Sequence, residues 1–119
     1  MPRAKRRPVT FATVRKLALA LPDTEESTSY GTPAFKVRGK LFARLHDSGE
    51  SLVVKVDLDE REILLRTDPK SFHITDHYLR YPFLLVRLAA VSEPVLRERL
   101  EESWRRSAPK RLVAAFDAA

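Results

Sequence analysis

No cysteine occurs among the 119 residues. That excludes a disulfide framework, a thiolate metal site and a thiol nucleophile, and it fits a reducing compartment, so a cytoplasmic protein is expected. Glycine is nearly as scarce. Gly31, Gly39 and Gly49 are the only three and lie far apart, which leaves no glycine-rich loop to cradle a phosphate. A nucleophile elbow is also missing. Long apolar runs are missing too, and the stretch 83–86 ends at Arg87, well short of a membrane span. The N-terminus is charged with no apolar segment behind it, so no secretory signal is read there. These absences make an enzyme the least expected class, with no cofactor and no membrane partner.

What the chain does have is charge. Asp, Glu, Lys and Arg make up 32% of it, with 22 basic against 16 acidic residues and a net charge of +6. Arg3, Lys5, Arg6 and Arg7 fall within the first nine residues, where no acid stands. Without those four, 18 basic residues face 16 acidic ones, and residues 10–119 carry only +2. Residues 1–9 read as a flexible basic arm and residues 10–119 as one domain, a size that suits one core. A case for a basic body must therefore rest on the arrangement of charge.

Apolar spacing outlines the elements. Thr10 is a plausible N-cap, and Phe11, Val14, Leu17, Ala18 and Leu21 follow at helical intervals, giving a helix over 11–21 that Pro22 ends. Residues 24–33 are polar and turn-rich and read as an extended lead-in. Strands follow at about 34–38 and 40–46 around a tight turn at Gly39, and a third at 52–56. Asp57, with Glu60 three residues on, caps a short helix over 58–66. Residues 71–74 form a short strand and 83–89 the last one. Ser92 caps a long helix with Pro94 in its first turn, buried along Leu96, Leu100 and Trp104. Pro109 interrupts it before a terminal helix carrying Leu112, Val113 and Phe116. The order predicts an α+β fold, a single antiparallel β-sheet with helices packed on one face.

Several stretches also match a known family. Leu21-Pro22 followed by Glu25 and Glu26, then Tyr30-Gly31-Thr32-Pro33-Ala34-Phe35-Lys36-Val37 and Gly39-Lys40-Leu41-Phe42-Ala43, are joined later by the apolar strand around 84–88. Leu100-Glu101-Glu102-Ser103-Trp104 and Pro109-Lys110-Arg111 complete the set. Over roughly residues 11–113 the chain resembles the MmcQ/YjbR family of small bacterial proteins. The resemblance implies a CyaY-like fold and a "double wing" likeness to DNA-binding proteins, based on hairpins. It brings no agreed catalytic motif, and the arm at residues 3–7 departs from many relatives. Fold alone does not decide function.

Alternation in the predicted strands puts Lys36, Arg38, Lys40, Arg44, Lys55 and Arg87 on the sheet face opposite the core, with no acid alternating among them. With Arg3, Lys5, Arg6 and Arg7 they form the expected nucleic-acid contact set, and DNA is the expected partner, bound through phosphates and therefore salt-sensitive. The plainer reading is a solvated face whose cations blunt sheet edges, and a one-residue bulge would redistribute the set. Phe42 falls among these cations, where it would either stack on a base or lie under their aliphatic stems. An alternative function is binding of a small acidic ligand or a protein partner. In that reading Tyr30, Phe42, His77, Tyr78 and Tyr81 line a groove beside the hairpin, and Lys36 or Lys40 meets the acid. His73 and His77 are four apart but sit in a turn-like stretch without a third ligand, and Asp57 and Glu60 are explained as caps, so no metal is expected. Arg105, Arg106, Lys110 and Arg111 complement a helix C-terminus.

Overall fold

The structure, a computed structural model, describes residues 9–119. Arg3, Lys5, Arg6 and Arg7 lie outside the described residues. Val9, assigned above to the arm, is buried against the core. The elements run α1 (Phe11–Leu19), β1 (Thr24–Ser29), β2 (Thr32–Val37), β3 (Lys40–Leu45), β4 (Ser51–Lys55), α2 (Leu58–Thr67), β5 (Phe72–His73), a 3₁₀ turn (Asp76–Tyr78), β6 (Phe83–Arg87), α3 (Glu93–Ser107) and α4 (Lys110–Ala118). The six strands form one sheet in the order β1-β2-β3-β4-β6-β5, and every pairing is antiparallel. The α+β architecture expected from the apolar spacing is the one observed. No helix among the described residues is long and apolar enough to cross a membrane.

Two tight hairpins open the sheet. Tyr30-Gly31 joins β1 to β2 and Arg38-Gly39 joins β2 to β3, and all four residues have positive φ. That is the pattern of a two-residue type I′ turn, whose twist matches that of the paired strands and whose second position favours glycine. The Gly39 turn stands where it is expected, but residues 24–29, expected only as an extended lead-in, form a paired strand. β1 reads Thr-Glu-Glu-Ser-Thr-Ser, with no apolar alternation to mark it. It is a strand because β2 pairs with all six of its residues.

The core lies on one face of the sheet. Leu52, Val54 and Val56 meet Phe35, Val37, Leu84, Val86 and Leu88 there, under α1 and α3. Leu96, Leu100 and Trp104 form the buried stripe of α3, and burying each relative to leaving it exposed contributes about 1.5–3 kcal/mol. Trp104 also donates from Nε1 to the carbonyl of Pro22 at 3.0 Å, which ties the end of α1 to α3. Phe116 of α4 packs 5.0 Å from the Trp104 ring. The caps expected at Asp57 and Ser92 are formed: Asp57 accepts from the Asp59 and Glu60 amides, and Ser92 from the Val95 amide.

One irregularity reorganises the middle of the sheet. Phe35 pairs with Ala43, but the next residue, Lys36, pairs with Leu41, so β3 carries an extra residue at Phe42. A bulge of this kind breaks strict alternation. Phe42 and Ala43 both join the core, and Leu41 shares the register of Lys36 on the opposite face. The expected alternation of Leu41, Ala43 and Leu45 inward against Lys40, Phe42 and Arg44 outward is corrected accordingly. Phe42, at 1% exposure, is not available to stack on a base.

β3 and β4 pair only from Ala43 to Leu45. Beyond that point the hydroxyl of Ser103, fully buried on α3, takes over. It accepts from the Lys55 amide at 2.9 Å and donates to the Phe42 carbonyl. Replacing Ser103 with Ala leaves two buried backbone groups without that partner. Ser103→Ala is expected to lower unfolding free energy by about 1–3 kcal/mol. Ser107→Ala, which loses only a 3.4 Å contact to the Leu41 carbonyl, should lose clearly less. Urea denaturation of both variants checks this, and equal losses would contradict it.

Candidate functional site

The sheet face away from α1 and α3 carries Val53 and Lys55 of β4, Phe83 and Leu85 of β6, and Arg44 of β3, which is paired with Val53. The segment 74–82 folds over part of this face. Tyr78 is buried there against Val53 and Leu85, its ring 5.7 Å from that of Phe83. Between this segment and the first hairpins runs a groove of about 610 Å³.

Arg61 of α2 holds the segment in place. Its guanidinium is buried and has no carboxylate partner among the described residues. Nη1 donates to the carbonyls of Tyr78, Tyr81 and Phe83 and Nη2 to that of Leu79, at 2.7 to 3.1 Å. A segment with few apolar anchors and a short 3₁₀ turn leaves its carbonyls in need of donors, and the planar fork supplies them in a fixed geometry.

Arg44 lies across the groove floor. It donates from Nη2 to the Tyr78 hydroxyl at 2.7 Å and from Nη1 to Thr32 Oγ1 and to Asp47, both at 3.2 to 3.3 Å. The Tyr30 ring lies 5.3 Å from its guanidinium carbon, a cation–π distance. Tyr30 itself is 87% exposed, so this ring is an open edge of the groove. His77 and Tyr81 complete the aromatic wall, with the His77 ring 4.8 Å from Tyr78 and 6.4 Å from Tyr81.

Lys55 marks the other end. It lines the groove and makes no ion pair or side-chain hydrogen bond among the described residues. Burial holds its ammonium below the usual lysine range, and the positive charges of Lys40 and Arg106 push in the same direction. The carboxylate lining the groove is Asp47, which is engaged by Arg44 and otherwise exposed. Among the described residues the groove thus offers ring faces along one wall and, in Lys55, a cation with no ion-pair partner.

The ten basic residues expected to contact nucleic acid are dispersed, apart from the four outside the described residues. Lys36 stands beside Glu25 of β1 in the cross-strand register, so the face is not of one sign. Arg38 is in the hairpin turn and pairs with Asp23 at 2.6 Å. Lys40 shares the register of buried Val37, on the helix side. Arg44 is buried. Lys55 is half-buried in the groove. Arg87 lies toward the opposite end of the face, donating from Nη1 to the Pro69 and Lys70 carbonyls. The bulge, the turn and the acidic first strand are the causes, and none is visible in alternation alone.

Tyr30, Phe42, His77 and Tyr78, expected to line a groove, all line this one together with Tyr81. Phe42 contributes from a buried position. Arg44, expected on the open face as a surface cation, is buried in the groove floor, and nothing in local spacing marks Arg61, whose role depends on a segment 17 to 22 residues further on. The histidine pair is split, His73 lying 2.9 Å from Ser51 Oγ while His77 packs on Tyr78. Among the described residues no group of three or more His, Asp or Glu side chains is placed to hold a metal. Glu60 pairs with Arg99 at 3.0 Å, and Arg105 pairs with Asp117.

A family model described as YjbR matches residues 19–106. Two curated relatives, named "Uncharacterized protein Rv2570" of Mycobacterium tuberculosis and "Uncharacterized protein Mb2600" of Mycobacterium bovis, are each 39% identical over 70 residues, 58% of this chain and 54% of theirs. The chain spans about half the length of these curated relatives. The crystal structure of Deinococcus radiodurans protein DR2400, a DUF419 domain, is similar with a TM-score of 0.69 and 25% identity, over 81% of this chain and 76% of that one.

Replacing Arg61 with Met is expected to release the groove wall. Each carbonyl that loses its donor costs about 1–3 kcal/mol where water cannot reach it. Water reaches part of this segment, so the expected total loss is about 2–4 kcal/mol. Amide hydrogen exchange should accelerate over residues 76–83 more than in the α1–α3 core, and Arg61→Lys should restore only part of the protection. Uniform acceleration throughout the chain would refute a local role.

Proposed function

The chain belongs to the YjbR family, and from that premise we propose that it is a non-catalytic binding module whose groove takes a small, flat, acidic compound. The observation that carries this reading is the groove beside segment 74–82: rings of Tyr30, His77, Tyr78 and Tyr81 on its walls, and Lys55 at one end without an acidic partner. Pockets of this size lined by rings and a few polar groups suit small ligands. An anion beside Lys55 offsets the repulsion from Lys40 and Arg106 that now opposes its charge. The non-catalytic part rests on the sequence, which carries no nucleophile elbow, phosphate loop or dinucleotide motif.

Phosphate contacts to duplex DNA form the second reading. Lys36, Lys40 and Lys55 support it, since none of them is in an ion pair among the described residues, and the basic run at residues 3–7 adds charge. The dispersal of Arg38, Arg44 and Arg87 leaves fewer phosphate contacts than the six expected from alternation. The salt dependence should be correspondingly shallower, with a log–log slope of about −3 for the three lysines alone.

A thermal-shift and calorimetry series separates the two. It compares 4-hydroxybenzoate and indole-3-acetate with their neutral amides, with succinate, and with a short DNA duplex at two salt concentrations. The aromatic acids should stabilise the protein, by about 2.7 kcal/mol at a hundredfold excess over Kd, and the amides should do so at least about tenfold more weakly. Lys55→Met should lose the difference between acid and amide without lowering the stability of the free protein, because the fold already disfavours the charge it removes. Equal effects of acids and amides, or stabilisation by DNA alone, would overturn the small-ligand reading.

A further inference from the structure

A second pocket, of about 530 Å³, opens on the same sheet face at its other end, and His46 lines both cavities. Its polar lining is strongly biased toward donors. Arg87 of β6, His73 of β5, Ser51 of β4 and His46 after β3 meet there. Ser51 and Arg87 are direct cross-strand partners. His73 pairs with Leu85 and so shares their face. Arg87 is anchored through Nη1 to the Pro69 and Lys70 carbonyls, while its Nε and Nη2 make no hydrogen bond among the described residues. Glu50 is the carboxylate lining this pocket, and it makes no ion pair among the described residues.

We propose that Arg87, His73, His46 and Ser51 form a site for a tetrahedral oxyanion, a phosphate or sulfate group, distinct from the aromatic groove. The free Nε and Nη2 of Arg87 are joined there by His46, whose Nδ1 accepts from the Ser48 amide and leaves Nε2 to donate, and by the Ser51–His73 pair, whose mutual hydrogen bond at 2.9 Å leaves one of the two able to donate outward, the complement of an oxyanion's acceptors. On their own these groups oppose one another. Burial lowers the readiness of His73 to take a proton, and the charges of Arg87 and His46 lower it further. A bound dianion reverses the sign of that field. Ser51 and His73 also stand at the spacing of a nucleophile and its base, but no group orients His73 through Nδ1 among the described residues, so the site is assigned to binding.

Among the described residues, the charged and titratable groups facing His73 are Arg87 from β6 and His46 and Glu50 from the β3–β4 connection. The segment 9–11, which also lines the pocket, contributes none. Because His73 is held below the ordinary histidine value, it is neutral at neutral pH when no anion is bound. Oxyanion binding should therefore strengthen as pH falls through that value and His73 takes up a proton.

The test follows the histidine ring resonances by NMR through a pH titration of the full chain, with sodium sulfate against sodium chloride at equal ionic strength. Sulfate does not itself titrate in this range. The His73 midpoint should rise by about 1 unit with sulfate, saturably, while His77 in the aromatic groove stays put. Arg87→Gln should abolish the rise. Should that variant unfold for want of its Pro69 and Lys70 contacts, His73→Gln keeps those contacts and should lose the sulfate-dependent gain in Tm. An unchanged His73 midpoint, a rise that survives Arg87→Gln, or a saturable gain in Tm with sulfate that survives His73→Gln overturns the proposal. Adenosine monophosphate and a DNA duplex then distinguish the source: a shift with the nucleotide but not the duplex assigns a small phosphorylated molecule, and a shift with both assigns a phosphate that the nucleic acid backbone also offers. Neither outcome depends on Lys55, so this site and the aromatic groove fail or stand separately.

Discussion

The extra residue in β3 is the constraint on which the rest of the molecule turns. It sends Phe42 into the core beside Ala43 and puts Leu41 on the face of Lys36. It also ends the β3–β4 ladder at Ala43, leaving the Lys55 amide and the Phe42 carbonyl to be satisfied from elsewhere. Ser103 satisfies both from within α3. The long helix is thus joined to the sheet by a polar link as well as by Leu96, Leu100 and Trp104. A buried pair of backbone groups without that hydroxyl would cost more than a typical hydrogen bond contributes.

The same break positions the groove. Lys55 sits on the open face where the two strands part, and Leu41, Phe42 and Ala43 line the cavity beside it. The opposite wall is irregular chain, and irregular chain keeps a shape only if its carbonyls find donors. Arg61 provides them from α2, and Arg44 fixes the Tyr78 hydroxyl from the sheet. Two buried guanidinium groups therefore organise the cavity. Both act mainly through hydrogen bonds to uncharged groups, although Arg44 also pairs with Asp47.

Much of the fold was legible in apolar spacing. The spacing of Val14, Leu17 and Ala18, of Leu52, Val54 and Val56, and of Leu96, Leu100 and Trp104 gives these elements strong local periodicity, and each has its predicted burial. The caps at Asp57 and Ser92 follow from local hydrogen bonding. β1 was not legible as a strand, since its polar side chains carry no pattern and its order comes from pairing with β2. Nor was the bulge, because the chain Lys-Leu-Phe-Ala-Arg-Leu alternates equally well in a straight strand. Shifting the register by one residue exchanges the faces. That single shift moved Phe42 inward, and with the Glu25 neighbour of Lys36 and the turn position of Arg38 it dissolved the one-signed face.

By itself, then, the sequence determined the family through Gly31-Thr32-Pro33-Ala34-Phe35-Lys36-Val37 and Gly39-Lys40-Leu41-Phe42-Ala43, and the element order through short-range periodicity and capping. These depend on residues within a turn or two of one another, where spacing alone sets which side chains share a face. Only the tertiary structure decided which charges are available. Arg44 and Arg61 look like surface cations in the chain, yet each is committed to a hydroxyl or to carbonyls contributed by a segment from 17 to 34 residues away, whereas Arg87 is anchored through Nη1 alone and keeps Nε and Nη2 free of partners among the described residues. Lys55 gained its place at the end of an aromatic groove because a helix hydroxyl 48 residues further on replaced a missing strand contact. Availability of a charge is a property of its partners, and those partners meet only when the chain closes on itself.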